Sequence, residues 1–185
     1  VVITNSNGVT VDNIQFGNLA TDISFGRQPD GSSNWMLFTD ATPGDSNTTI
    51  GYTGTSSTPL FSVNAGFYQT PVAVTLTPGL AGETIYYTLD GSDPDETSTV
   101  YSSPVQITST KVLRAREYGT GLIPGKIITN TYFINVSTDL TVVSLSTTPS
   151  NLFDEEFGIY ALGDSAEPEF PYFGANFWQD WEKPI

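Results

Sequence analysis

Hydrophobic residues in this chain recur at every second position far more often than at every third or fourth. Val72, Val74 and Leu76 alternate with Ala73, Thr75 and Thr77, and Ile85, Tyr87 and Leu89 repeat the pattern. Leu113 and Ala115 alternate with Val112, Arg114 and Arg116, while Ile128, Tyr132 and Ile134 lie at even spacing within residues 126–134. A period of two sends alternate side chains to opposite faces of an extended chain, so these runs predict half-buried β-strands. Residues 9–16, 22–26 and 35–38 read as further strands. Helical spacing is nearly absent, and the one helical turn expected lies around residues 151–157.

Turn residues punctuate the runs: Pro78-Gly79, Ala81-Gly82, Asp90-Gly91, Asp93-Pro94, the glycines at 119 and 121, and Pro124-Gly125. Glycine supplies positive φ, proline presets its own φ, and Asp closes local hydrogen bonds, so each pair marks a chain reversal. Short strands between such turns predict an all-β fold of the sandwich type. Composition divides the chain into a first block over residues 1–47, a Ser/Thr/Gly-rich connector over 48–58, a central block over 59–136 and a last block over 137–185. The connector's low hydrophobicity predicts a linker or extended tether.

Charge narrows the function classes. Six basic residues against twenty acidic ones give a formal net charge of −14. Nucleic acid is excluded as a partner, because phosphate neutralisation needs clustered Lys and Arg. An anionic membrane surface would repel the chain, and no apolar run approaches the length of a membrane span, so no membrane insertion is expected. The acidic balance fits a solvated surface outside the cell or the binding of divalent cations. With no cysteine and no histidine, disulfides, thiolate and imidazole metal sites and a Ser-His-Asp triad are all ruled out. The chain opens on Val1 without a visible signal peptide, which reads as a processed or excised piece of something longer.

The central block carries the most distinctive residues. Phe61-Ser62, Gly66-Phe67-Tyr68, residues 72–76, Tyr87-Thr88-Leu89-Asp90-Gly91-Ser92-Asp93-Pro94, Val100-Tyr101-Ser102-Ser103-Pro104, residues 112–115 and Thr131-Tyr132-Phe133-Ile134 succeed one another in order. In this it resembles the chitobiase/β-hexosaminidase C-terminal-type domain. That resemblance implies an immunoglobulin-like β-sandwich used as an accessory module in secreted multidomain proteins, with no catalytic residues to carry over. The first block, through residues 22–31, Trp35 and residues 42–47, resembles the last strands of a lamin-tail-like domain. The third, through residues 142–147, Asn151-Leu152-Phe153, Gly158-Ile159-Tyr160, Gly163, Asn176-Phe177 and residues 181–184, is similar to the segment before the kinase core in the spore-coat-kinase (CotH) family. Together they imply an Ig-like sandwich with partial β modules on either side, from a bacterial surface or secreted protein. A kinase-like domain would then come next in the chain, and adjacent domains of that protein would be the partners.

Candidate sites each carry two readings. Asp90, Asp93, Asp95 and Glu96 offer oxygen ligands that suit calcium, the candidate cofactor, yet the same residues build a tight turn. Asp154, Glu155 and Glu156 have the composition of an acid/base pair but equally that of a solvated face or a helix start. Tyr86, Trp178 and Trp181 are candidates for stacking on polysaccharide, with Trp35, Tyr68 and Tyr101 in the same class; the structural reading of all six is packing. Tyr86 lies on the opposite phase from Ile85, Tyr87 and Leu89, which favours a surface position. No phosphate-binding glycine motif occurs. The function expected is a non-catalytic extracellular scaffold, with a polysaccharide-binding module as the alternative.

Overall fold

The computed structural model describes residues 1–184. The chain divides into two compact units, the first Val1–Gly54 and the second beginning at Thr55, so the division falls inside the expected connector.

The first unit holds two antiparallel pairs. Strand β1 (Val2–Thr4) pairs with β2 (Thr10–Asn13), and β3 (Ser24–Arg27) with β4 (Trp35–Phe38). Tyr52, in the connector, bridges Leu37 of β4 through hydrogen bonds of 2.8 Å in both directions. Phe25 and Trp35 stack at 5.1 Å, with the Arg27 guanidinium over the Trp35 ring and paired to Asp12 at 2.7 Å. Among the described residues of this unit Phe38 is the one buried hydrophobic side chain. Val2, Ile3, Val9, Val11 and Phe16 stay exposed, so the strands form without closing a core.

The second unit is the sandwich. Strand β5 (Gly54–Thr55) lies at the division, followed by β6 (Leu60–Phe61), β7 (Gly66–Tyr68), β8 (Val72–Val74) and β9 (Leu76–Thr77). Then come β10 (Thr84–Thr88), β11 (Thr99–Val100), β12 (Val105–Ile107), β13 (Lys111–Tyr118), β14 (Leu122–Ile123) and β15 (Ile128–Ile134). One layer is a five-stranded sheet in the order β11-β10-β13-β15-β7, antiparallel except for the parallel β15–β7 pair. The β12–β8 and β6–β9 pairs supply the other side. Alternation now becomes a core: Val74, Leu76, Val105 and Ile107 meet Ile85, Leu113, Ala115, Tyr132 and Ile134, all buried. Tyr132, fully buried, places its hydroxyl on Val63 O at 2.8 Å, which satisfies the one polar atom it carries inward. This is an all-β, immunoglobulin-like sandwich.

The described residues after β15 run without strands. They contain one helical turn, α1 (Ser150–Phe153), and a single 3₁₀ turn at Asn176–Trp178. The expected helical turn is therefore present but one residue earlier and shorter. Polar side chains rather than a large apolar core hold this region. Asn176 Nδ2 donates to Glu155 O at 3.0 Å and Gly158 O at 3.1 Å, and Thr147 Oγ1 accepts from Asn151 Nδ2 at 2.7 Å while donating to Pro184 O at 2.6 Å.

Candidate functional site

The Asp90–Glu96 turn comes after β10 and is built from its own hydrogen bonds. Asp90 Oδ1 accepts from the Ser92 backbone N–H at 3.0 Å and the Ser92 hydroxyl at 2.6 Å, and Thr88 Oγ1 donates to Ser92 O at 2.6 Å. Asp95 Oδ1 accepts from Thr97 N–H at 2.8 Å, Thr97 Oγ1 at 2.7 Å and Ser98 Oγ at 3.1 Å. These are Asx turns, in which a short carboxylate substitutes for a backbone acceptor. The side-chain hydrogen bond from Ser92, then its backbone N–H, holds the Asp90 carboxyl below its ordinary range; Thr97 does the same for Asp95. Pro94 is buried, and its carbonyl accepts from the Tyr118 hydroxyl at 3.0 Å.

Asp93 is engaged differently. Its Oδ1 pairs with Arg114 Nη1, from the middle of β13, and accepts from Thr148 Oγ1 at 3.0 Å. Arg114 also donates to Gly91 O at 2.7 Å and Thr129 Oγ1 at 3.2 Å, and is itself buried. The guanidinium fork thereby joins the turn, β13 and β15, and the Asp93 carboxylate carries the connection on to the segment after the sandwich. Gly91, at φ +89°, lies under that segment: a Cβ there would stand 3.3 Å from Thr147 O. Further along, Ser144 Oγ and Thr131 Oγ1 are 2.7 Å apart. Residues 144–148 thus lie as a strap across the outer face of the five-stranded sheet. Beside it runs an open groove of about 550 Å³ lined by Gly66, Thr129, Thr131, Phe133, Ser144 and Ser146 among others.

The structure does not gather the four acidic residues of the turn. Asp90 and Asp95 each close a separate turn, Asp93 faces a guanidinium, and among the described residues no group of three or more acidic side chains is placed to hold a metal. Asp154 accepts from the backbone N–H groups of Glu156 and Phe157 at 2.9 and 3.3 Å, so it caps a turn, and Glu155 and Glu156 are exposed.

The candidate aromatics are not brought together either. Tyr86 sits on the outer sheet face, as its phase predicts, but its ring meets Tyr118 edge-on at 5.3 Å and is half-buried. Trp178 is 54% exposed; its Nε1 donates to Pro171 O at 3.0 Å and its ring leans on Phe173 at 5.5 Å. Trp181 is 40% exposed, with Lys183 Nζ 5.1 Å from its ring centroid. Phe153, Tyr160 and Phe170 are exposed in the same region of the chain.

Two functional elements escape a reading of the sequence alone. Arg114 reads there only as a polar residue on the outward phase of a strand. Glu117 falls on the inward phase set by Leu113 and Ala115, and a charged residue in phase with apolar ones is the available signal.

No helix among the described residues is long and apolar enough to cross a membrane. No curated protein and no solved structure matches the chain. Residues 63–129, which run from just after β6 into β15, match the model of the Chitobiase/beta-hexosaminidase C-terminal domain, a non-catalytic, carbohydrate-associated accessory module.

Proposed function

We propose that this chain is a non-catalytic accessory segment of a larger extracellular or cell-surface protein, in which the sandwich is a rigid mount for its C-terminal neighbour. The observation that carries this reading is the Arg114–Asp93–Thr148 junction, which ties the strap at residues 144–148 to the outer face of the sheet. A mount works by holding a neighbour at fixed separation, and a sandwich closed over its own core is stiff enough to do so. The similarity of residues 1–47 to a lamin-tail-like domain and of residues 137–185 to the segment before a CotH-type kinase core supports the same placement, between modules of one surface protein. Backbone ¹⁵N relaxation tests it, because side-chain hydroxyls and not amides hold the strap. Order parameters of residues 144–148 should match those of β13 and β15, and an Asp93→Ala/Thr148→Ala variant should lower those of the strap alone. A strap as mobile as a free chain end in the unaltered protein would remove the basis for a mount.

A second reading rests on Trp178 and Trp181, whose exposed rings suit stacking on sugar faces. Tyr86, half-buried against Tyr118, is the third candidate in that reading. Affinity electrophoresis in gels containing a panel of insoluble-polysaccharide fragments decides between the two. Saturable retardation lost on Trp181→Ala or Tyr86→Ala establishes glycan binding, and unretarded migration in every gel leaves the mount.

A further inference from the structure

Two glutamates meet at one end of the sandwich, beneath the segment that enters it. Glu83 immediately precedes β10. Glu117, the penultimate residue of β13, is fully buried. Ser57 stands between them. Its hydroxyl is 2.6 Å from Glu83 Oε2 and 2.6 Å from Glu117 Oε2, and its backbone N–H donates to Glu83 Oε2 at 3.0 Å. Gly79 N–H donates to Glu117 Oε1 at 2.9 Å. Both carboxyl groups therefore converge on the single Ser57 hydroxyl.

Proton counting decides the charge state. The Ser57 hydroxyl has one hydrogen and can donate to one carboxylate only. Two ionised carboxylates would leave acceptors facing acceptors inside the fold. One proton on Glu117 closes the set: Glu117 donates outward, and the Ser57 hydroxyl is free to donate to Glu83. Glu83 Oε1 is buried with no hydrogen-bond partner, so a second negative charge here meets no compensating donor. The elements packed on the pair add no counter-charge, since residues 55–59, 77–82 and 119–125 contain no titratable side chain. Arg116 and Tyr118, beside Glu117 on β13, alternate to the other face, where they donate to Gly125 O and Pro94 O. Tyr87, on the inner face of β10, packs against the core.

We propose that Glu83 and Glu117 form a one-proton latch that holds Ser57 on the sandwich, next to the Ser56–Ile123 bond that fixes its neighbour independently, and that the second ionisation of the pair releases Ser57.

The titration directions agree with this geometry. Burial, then the neighbouring Glu83, pushes the Glu117 carboxyl up; the hydrogen bond from Glu117 holds Glu83 down. A raised carboxyl contributes stability that is whole below its ordinary value and lost as pH climbs through the raised one. A depressed carboxyl contributes stability present above its ordinary value and lost as pH falls through the depressed one. The latch is therefore closed in a window spanning the ordinary glutamate range and opens on the alkaline side when Glu117 ionises.

The test is an amide titration of the full chain by heteronuclear NMR from about pH 3 to about pH 9, with exchange protection measured alongside. The Ser57 and Gly79 amides should move together in a step above the ordinary carboxylate range, and the protection factor at Ser57 should fall by roughly tenfold or more across it. Glu117→Gln keeps an acceptor for Gly79 and an NH₂ donor toward Ser57 and Glu83, so it should abolish the alkaline step. A step confined to the ordinary carboxylate range in the unaltered chain, or one that survives in Glu117→Gln, overturns the latch. The unaltered chain decides alone if the variant fails to fold.

Discussion

Arg114 and Asp93, twenty-one residues apart, form an ion pair that is buried at one end and wet at the other: their side chains are 10% and 57% exposed. Truncating the two ends should therefore have unequal effects. Asp93→Ala leaves the guanidinium with Gly91 O and Thr129 Oγ1 and should cost roughly 1–3 kcal/mol. Arg114→Ala strands Gly91 O and Thr129 and opens a void under the strap, and should cost roughly 2–4 kcal/mol. Arg114→Lys should recover little, because one ammonium cannot reproduce the fork. Urea denaturation of the three variants gives the order, and equal losses would mean the buried end contributes nothing extra.

The core supplies the second prediction. Leu113 is fully buried between the layers, so Leu113→Ala should destabilise by about 2–5 kcal/mol. Tyr132→Phe removes the hydroxyl that donates to Val63 O and accepts from Asn130 Nδ2 at 3.2 Å, and should cost about 1 kcal/mol, with Asn130 Nδ2 still reaching Val63 O at 3.4 Å. Val143→Ala, on an exposed side chain, should fall within about 0.5 kcal/mol of zero. Thermal melts of the three variants should preserve this ranking.

The part of the fold legible in the sequence is the part that local periodicity can encode. The strand at residues 35–38 has the bounds its pattern predicts, and Ile85, Leu113, Ala115, Tyr132 and Ile134 are core residues as their phase requires. The run over residues 72–77 looks continuous but is two strands. Ser62 captures the backbone of Thr75 at 2.8 Å through its hydroxyl and 2.9 Å through its N–H, and β8 and β9 then pair with different partners. The polar connector reads as a tether, yet Tyr52, Ser56 and Ser57 are tied down by groups distant in sequence: Leu37, Ile123, Glu83 and Glu117. Long-range partners of polar side chains leave no periodic trace. For the same reason Asp93 is legible as a turn residue and its link to Arg114 and Thr148 is not.

Calcium addition or chelation should leave the melting temperature unchanged. Oδ1 of Asp90 and of Asp95 is committed to turn N–H and hydroxyl donors, and Asp93 already faces a cation. A six- to eight-oxygen ion would have to break those bonds and accept Arg114 as a neighbour. A structural ion present at a hundred times its dissociation constant adds about 2.7 kcal/mol, a shift no melt would miss. A rise in melting temperature with calcium that EDTA reverses would show that the turn rearranges to bind it.

Acid should weaken the turn before it weakens the core. Hydrogen bonds from Ser92 and Thr97 depress the Asp90 and Asp95 carboxyls, so both stay ionised in the folded chain at a pH where the unfolded chain has begun to take up protons. Their contribution is accordingly whole above the ordinary aspartate value near about pH 4 and disappears as pH falls through the depressed values. Both groups lie at the surface, where solvent and salt screen them, so the limb should be shallow. Asp95→Asn retains an acceptor for Thr97 and Ser98 but cannot titrate. It should flatten the acid limb of the stability curve and lower stability near neutrality by about the drop that limb makes in the unaltered chain. Denaturant titrations of the unaltered chain and of Asp95→Asn at several pH values below about 5 read this directly. Parallel acid limbs in the two proteins would locate the sensitive carboxylates elsewhere, with Glu83, whose depressed value gives the same sign, as the next residue to change.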